Sequence, residues 1–395
     1  MKYHFYYSLT HDPLGIFSNG FLFSKKVGES MEDRDYMKLA IQLAQNTLGQ
    51  TSPNPVVGAV LVKDGRIIGM GAHLKAGEEH AEVQAFKMAK EGEAENATLY
   101  VTLEPCSHFG KTPPCVHSII EHKVKRVIIA TLDPNPLVSG KGVKQLKAAG
   151  ITVEVGLLEQ EAIELNKFFL HFIKHKTPYV TIKCAMTMDG RIATSNGDSK
   201  WITSSEARED VHQNRAIYDA ILVGVNTVIA DNPLLTTRLT NGEGLSPKRI
   251  ILDSNLRIPE SAAILHDQKA ETILLVGKNV ADERIGQVAS DFVKVIRLKT
   301  DRPEVKEVLS VLGELGVTSL YVEGGRGVHE SFLKANCVNE LHLYLAPKII
   351  GGNFSSFGEL GITNMQSAMN LDLQSVQQIG TDLKITAKLI EKEPC

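Results

Sequence analysis

Cysteine is scarce, with five in 395 residues. That is too few for a disulfide scaffold, and it points to a reducing compartment, the cytoplasm. Only Cys106 and Cys115 are close together; Cys184, Cys337 and Cys395 stand alone. Long apolar runs are also missing, and no stretch reaches the ~18–20 residues of a membrane span. Residues 1–30 are rich in aromatics. However, His11, Asp12, Pro13, Asn19 and Gly20 interrupt any apolar core that a secretory signal would need. They read as an N-terminal extension, with a start at Met31 as an alternative. Nor is one sign of charge in excess: 43 basic residues face 46 acidic ones, a net charge of −3. No global field gathers nucleic acid. A 20–50-residue repeat is absent, which excludes a solenoid. The 43% apolar and 23% charged residues suit a globular chain, and its length suits two or three domains.

From Met31 the pattern is regular. Met37, Ala40, Ile41, Ala44 and Leu48 recur at helical spacing, with Asp33 or Asp35 as cap and Gly49 as stop. A β-hairpin turns at Lys63-Asp64-Gly65. Strands and helices then alternate, ending in one long helix over residues 157–175. Pro178 disfavours further helix, which places a domain boundary near residue 176. The expected division is 1–30, 31–176 and 177–395. A second alternation follows, with a helix capped by Ser204 or Ser205. Both halves read as α/β layers with helices on both faces of a sheet.

His80-Ala81-Glu82 opens a helix, and Pro105-Cys106 follows a buried strand. Eight residues separate Cys106 from Cys115. One imidazole and two thiolates suit Zn²⁺ and leave a fourth position open for water. Bound zinc brings that water's pKa toward neutrality. Glu82 is then the proton carrier rather than a ligand. H-x-E followed by P-C is the zinc-deaminase pattern, but here the second cysteine stands at C-x8-C instead of C-x-x-C. The competing reading is a buried histidine with two unrelated core cysteines. A closed structural zinc would need a fourth ligand, for which His108 and His117 are candidates.

Thr51-Ser52-Pro53-Asn54-Pro55-Val56-Val57-Gly58, Gly71-Ala72-His73, His80-Ala81-Glu82 and PCSHFGKTPPC resemble the deaminase half of the bifunctional riboflavin-biosynthesis deaminase/reductase family. The long Cys–Cys spacing is part of that resemblance. It implies a cytidine-deaminase-like domain holding one Zn²⁺ per chain. It also implies that Asn54, His73 and Lys111 contact the pyrimidine or its ribose phosphate. Asn54 has a competing explanation in turn chemistry.

The resemblance continues from about residue 178 and implies a dihydrofolate-reductase-like domain that uses NADPH. Ser199, Arg215, Leu234, Arg238 and Glu323 are implied in substrate binding. Two arginines on one ligand suit a phosphate monoester. Ala185, Trp201, Thr227, Asp231, Ser254 and the run Gly325, Arg326, Gly327, Val328, His329, Glu330 and Ser331 are implied in cofactor binding. Glycines before a helix let backbone N–H groups approach phosphate, although helix–strand packing explains them equally well. No side chain in this half is an obvious proton donor; Lys183 and Asp189 are candidates. The reading is a two-domain enzyme acting on pyrimidine ribosyl phosphates, without nucleic-acid or membrane partners, and forming a homo-oligomer. The competing reading is a nucleic-acid or nucleoside deaminase with an accessory domain, which would favour C-x-x-C and a basic groove.

Overall fold

The computed structural model describes residues 30–107, 113–135, 139–240, 242 and 244–390. The chain divides into two compact units, one ending at His175 and the other starting at Lys176. The first contains α1 (Asp33–Gln45), β1 (Gly58–Lys63), β2 (Arg66–Ala72), α2 (Ala81–Met88), β3 (Thr98–Leu103), α3 (Cys115–Glu121), β4 (Arg126–Thr131), α4 (Lys141–Ala148), β5 (Thr152–Val155), α5 (Glu159–Leu165) and α6 (Lys167–His175). Its sheet runs β2-β1-β3-β4-β5. The pairs β2–β1 and β1–β3 are antiparallel, and β3–β4 and β4–β5 are parallel.

Alternation along the strands builds a core on each face. Leu99 and Val101 of β3, with Val127 and Ile129 of β4, pack against Phe86, Ile119 and Leu146 from α2, α3 and α4. Tyr100 and Ile128 point to the other face and meet Met37, Ile41 and Leu165 from α1 and α5. The unit is therefore three-layered. The hairpin turn is as read: Asp64 and Gly65 have φ of 51° and 74°, the left-handed pair that a two-residue turn requires.

The second unit contains β6 (Tyr179–Thr187), α7 (Ser205–Arg215), β7 (Ala220–Gly224), α8 (Val225–Asp231), β8 (Lys248–Leu252), β9 (Thr272–Val276), α9 (Asp282–Val288), β10 (Val293–Arg297), α10 (Val305–Glu314), β11 (Ser319–Gly324), α11 (Arg326–Lys334), β12 (Glu340–Ala346), β13 (Leu371–Ile379) and β14 (Asp382–Leu389). Among the described residues, nine strands form one sheet in the order β10-β9-β8-β7-β11-β6-β12-β14-β13. It is parallel from β10 to β12, and β14 and β13 close it antiparallel. Ala220 and Leu222 of β7 face α10 and α11, whereas Ile221 and Val223 face α8 and α9. This unit is also three-layered, and its parallel strands all end on one edge. That edge is where ligands meet an open α/β sheet.

Several elements differ from the sequence reading. The cap of α1 is Glu32, in a capping box with Asp35, and the helix ends at Gln45. The helix expected over 157–175 is two helices. Asn166, only 3% exposed, breaks it: its side chain accepts from the Val56 N–H and donates to the Val56 carbonyl, both at 3.0 Å. Two backbone hydrogen bonds to a neighbouring segment outweigh helix continuity there. Helices α8 and α9 and strand β13 were not anticipated. Strand β13 is mostly exposed, with Leu371, Leu373 and Val376 facing outward. It is held by pairing with β14 rather than by burial, so it leaves little hydrophobic pattern.

Candidate active sites

In the first unit the helix starts converge. His80 is the N-cap of α2, and Glu82 lies in its first turn. Helix α2 sits hard against β2: a Cβ on Gly71 would stand 2.2 Å from the Ala81 carbonyl, and one on Gly69 would stand 2.0 Å from that of Ala85. Only glycine permits that approach. Cys106 follows β3 across Glu104-Pro105, and Cys115 opens α3. The Nδ1 of His80 lies 3.1 Å from Cys115 Sγ and 3.6 Å from Cys106 Sγ. All three ligand atoms lie within 4.8 Å of one another. A tetrahedral zinc with ordinary Zn–N and Zn–S bonds needs edges of roughly 3.5–3.8 Å, so the donor set fits. Among the described residues the group has three members. His117, exposed on α3, is not one of them. His108 lies outside the described residues, and so does Lys111.

Electrostatics fit a metal as well. The Cys115 backbone N–H donates to Cys106 Sγ at 3.3 Å. The Cys106 thiol is pulled well below its usual range, first by the Cys115 thiol and also by His80, while Cys115 is pushed up. Thiolate character is thus favoured at Cys106, and a bound cation would favour it at both sulfurs. Glu82 is 3% exposed. Burial, followed by the charge of Cys106, raises its pKa. A carboxyl with a raised pKa is better suited to take a proton and return it. His73 is 3% exposed; its Nδ1 lies 3.1 Å from the Glu79 carbonyl and its Nε2 3.1 Å from Asn54 Nδ2. It donates through Nδ1, accepts from Asn54 through Nε2, and is neutral. Its ring meets His80 edge-on, with centroids 5.5 Å apart. Asn54, His73, His80, Glu82, Cys106 and Cys115 therefore form one connected group.

In the second unit Arg215 closes α7 and Glu323 lies near the end of β11. They form a bidentate pair at 2.6 and 2.8 Å, with side chains only 11% and 7% exposed. Burial opposes the Glu323 charge, but Arg215 holds the carboxyl down at about 2. The remaining nitrogen of Arg215 donates to the Thr236 carbonyl at 2.9 Å. It thereby fastens the loop that carries Leu234 and Arg238. Arg238 donates to Thr236 Oγ1 and, through its backbone, to His212 Nδ1, each at 3.3 Å. His212 was not singled out from sequence. Burial, then the charges of Arg215 and Arg238, push its pKa down to about 4. Parallel pairing of Val322 with Ile182 sets Lys183 beside Glu323 on the same sheet face. Its charge reaches Glu323.

A cleft of about 600 Å³ opens at the ends of β7, β8 and β11. Thr227, Ser254, Gly325, Arg326, Gly327 and Val328 line it, together with Asn226, Asn255 and Arg257, which were not foreseen. The other implied cofactor residues lie elsewhere. Trp201 is 64% exposed and stacks on Arg208 at 4.6 Å. Asp231 pairs with Lys200 at 3.5 Å. His329 is buried and directed toward the Ser356 carbonyl. Glu330 pairs with Lys334 at 2.7 Å, and the Ser331 hydroxyl donates to the Val328 carbonyl at 2.8 Å. Ala185 is half-buried on β6, and Ser199 is half-buried in the loop before α7. Asp189 accepts from Thr187 Oγ1 at 2.6 Å and from the Gly351 N–H at 2.7 Å. It serves as a loop tie.

Fold and sites together define a class: a cytidine-deaminase-like zinc domain joined to a dihydrofolate-reductase-like domain with an open cleft at its strand ends. Residues 30–131 match the cytidine and deoxycytidylate deaminase zinc-binding region, and residues 178–385 match the RibD C-terminal domain. The riboflavin biosynthesis protein RibD of Bacillus amyloliquefaciens is 51% identical over 354 residues, covering 89% of this chain and 95% of that one. The RibD of Aquifex aeolicus is 48% identical, covering 90% and 98%. The crystal structure of a diaminohydroxyphosphoribosylaminopyrimidine deaminase/5-amino-6-(5-phosphoribosylamino)uracil reductase from Thermotoga maritima superposes with a TM-score of 0.82 at 38% identity, covering 90% and 98%. The chain belongs to the RibD family of riboflavin biosynthesis enzymes, which join a zinc-binding deaminase to an NADPH-dependent reductase.

Proposed function

We propose that the first unit hydrolytically deaminates 2,5-diamino-6-ribosylamino-4(3H)-pyrimidinone 5′-phosphate. The second would then reduce the ribosyl group to ribityl, giving 5-amino-6-(5-phospho-D-ribitylamino)uracil. The observation that carries the first step is the His80–Cys106–Cys115 group with Glu82 buried beside it. His80, Cys106 and Cys115 would hold zinc, which supplies an acidified water at neutral pH. Glu82 takes the water's proton and delivers it to the departing amine. Asn54 and His73 orient the pyrimidine, and Lys111 meets its phosphate.

In the second unit Arg215, Arg238, Lys183 and Glu323 sum to two positive charges, with His212 neutral. That surplus suits a phosphate monoester. Arg215 spends its fork on Glu323, so Arg238 is the arginine turned to the phosphate and Arg215 sets the loop that carries it. Glu323 accepts from sugar hydroxyls. Hydride from bound NADPH would reach C1′, the bond from C1′ to the ring oxygen would break, and that oxygen would need a proton. Lys183 gives it, since Asp189 is committed to its loop. Ser199 and Leu234 complete the substrate side; Thr227, Ser254 and residues 325–328 line the cleft that takes the cofactor, and Ala185, Trp201, Asp231 and residues 329–331 support its site from outside that cleft.

The working division is 31–176 for deamination and 177–395 for reduction. No helix among the described residues is long and apolar enough to cross a membrane. We take the enzyme to be cytoplasmic, homo-oligomeric and without a nucleic-acid partner. The test is product analysis of the diaminopyrimidine phosphate with and without NADPH. Ammonia release alone, then a ribityl product once NADPH is added, is expected. If neither appears, and a tRNA or single-stranded DNA is deaminated instead, the competing reading holds.

A further inference from the structure

The cleft of the second unit has a direction. Hydride transfer requires the nicotinamide beside the sugar, and the reading above, on which this inference rests, places the sugar at Glu323. Gly325 follows two residues later and lines the cleft. A Cβ on Gly325 would stand 3.5 Å from Thr227 Oγ1, so the β11 and β7 ends meet there. The reactive end of the cofactor therefore lies at β11. The rest of an extended dinucleotide must run along the neighbouring strand ends, β7, β8 and then β9. A second cleft of about 350 Å³ continues in that direction. It shares Ser254 and Asn255 with the first and reaches Gly277 and Asn279 beyond β9.

The charges along this path are uneven. Among the described residues no carboxylate lines the first cleft, but Arg257 and Arg326 do. Arg326 opens the nine-residue helix α11, near the reactive end, where a pyrophosphate belongs. Arg257 stands on the β8 side, just past the Ser254-Asn255 pair that joins the two clefts. It is exposed, and among the described residues it donates to an uncharged partner, Asn226 Oδ1, at 2.8 Å. Its segment is held in place: Arg284 donates to the carbonyls of Leu256 at 3.5 Å and Ile258 at 3.2 Å. A carboxylate here would favour a free ribose 2′-hydroxyl, whereas an arginine favours a 2′-phosphate. Asp301 lines the far cleft, but Lys278 lies 3.7 Å from it and Asn279 donates to it.

We propose that Arg257, with Ser254 and Asn255, recognises the 2′-phosphate of NADPH, and that the second cleft takes the adenine. Arg257 thus sets the preference for NADPH over NADH. The test is calorimetric titration of the full-length wild type and Arg257→Ala with NADP⁺, NAD⁺, adenosine 2′,5′-bisphosphate and adenosine 5′-monophosphate. Arg257→Ala should weaken the two 2′-phosphorylated ligands about 10–100-fold and change the other two by less than about twofold. Arg257→Lys should recover part of the loss, because it keeps the charge but not the fork. Equal losses for all four ligands, or no loss for any, would overturn the proposal while leaving the cleft as the cofactor site. If the wild type binds none of the four, the reading of the cleft itself falls, and the proposal with it.

Discussion

In the deaminase unit, three ligand atoms within 4.8 Å of one another come from residues 80 to 115. In the reductase unit, the residues around Glu323 are drawn from Lys183, His212, Arg215 and Arg238, and the neighbouring cleft adds residues 224 to 328. The first site is a small, buried, acid-and-thiol group suited to a cation. The second is an ion-paired edge beside an open cleft, suited to long anionic ligands. The difference follows from the chemistry. One metal ion needs a few specific atoms at fixed short distances. A dinucleotide and a sugar phosphate need many modest contacts over a long surface, and any of several polar residues can make them.

If each half holds its own chemistry, a change in one should spare the other. Glu82→Gln should give the largest effect, lowering deamination by about 10³-fold or more while zinc content and reductase activity stay as in the wild type. Retained deamination in a zinc-loaded Glu82→Gln enzyme would reduce the first site to a structural metal. Removing zinc with a chelator, or by Cys106→Ser, should silence deamination and leave reduction of the deaminated intermediate intact.

Breaking the Arg215–Glu323 pair should act on the other half. Arg215→Met leaves a buried carboxylate uncompensated, at a cost of about 3–5 kcal/mol, and should lower the reductase unit's melting temperature as well as its activity. Deamination should persist. Loss of both activities together would show that the halves are coupled rather than separate.

The smallest effect is on pH dependence. The folded-state pKa of Glu323 lies at about 2, below its ordinary value of 4.5. Its contribution, of order 3 kcal/mol, is fully present above the ordinary value and fades as pH falls from there through about 2. Thermal melts between pH 5 and 2.5 should show the reductase unit losing stability in that window. A Glu323→Gln variant should show a flatter curve.

The two sites also differ in how far sequence revealed them. H-A-E, P-C and the second cysteine named the zinc group outright, because few other roles use those residues in that order. Asn54 and His73 needed the resemblance, since a turn asparagine and a lone histidine have ordinary explanations. In the reductase half, Thr227, Ser254 and Gly325 to Val328 meet in one cleft, whereas Trp201, Asp231, His329, Glu330 and Ser331 make other contacts. His212, Asn226, Asn255 and Arg257 carried no signal. A histidine on a polar helix and an arginine after a strand are common surface residues until their neighbours are known. The arrest of the helix at Asn166 was equally hidden, because its partner is Val56, 110 residues away.

By itself, the sequence determined what local periodicity and residue type decide. These are the alternating strands and helices, the two α/β layers, the break near Pro178 and the three zinc-type donors. It also determined which family the chain resembles. Only the tertiary structure decided which side chains meet. It set Arg215 on Glu323 from 108 residues away, brought Thr227 to Gly325, and aligned the ends of β11, β7, β8 and β9 into one path. The physical reason is that strand order, not chain order, sets proximity at the edge of a sheet. Strand order is settled by how two apolar faces are covered, a property of the whole domain rather than of any segment.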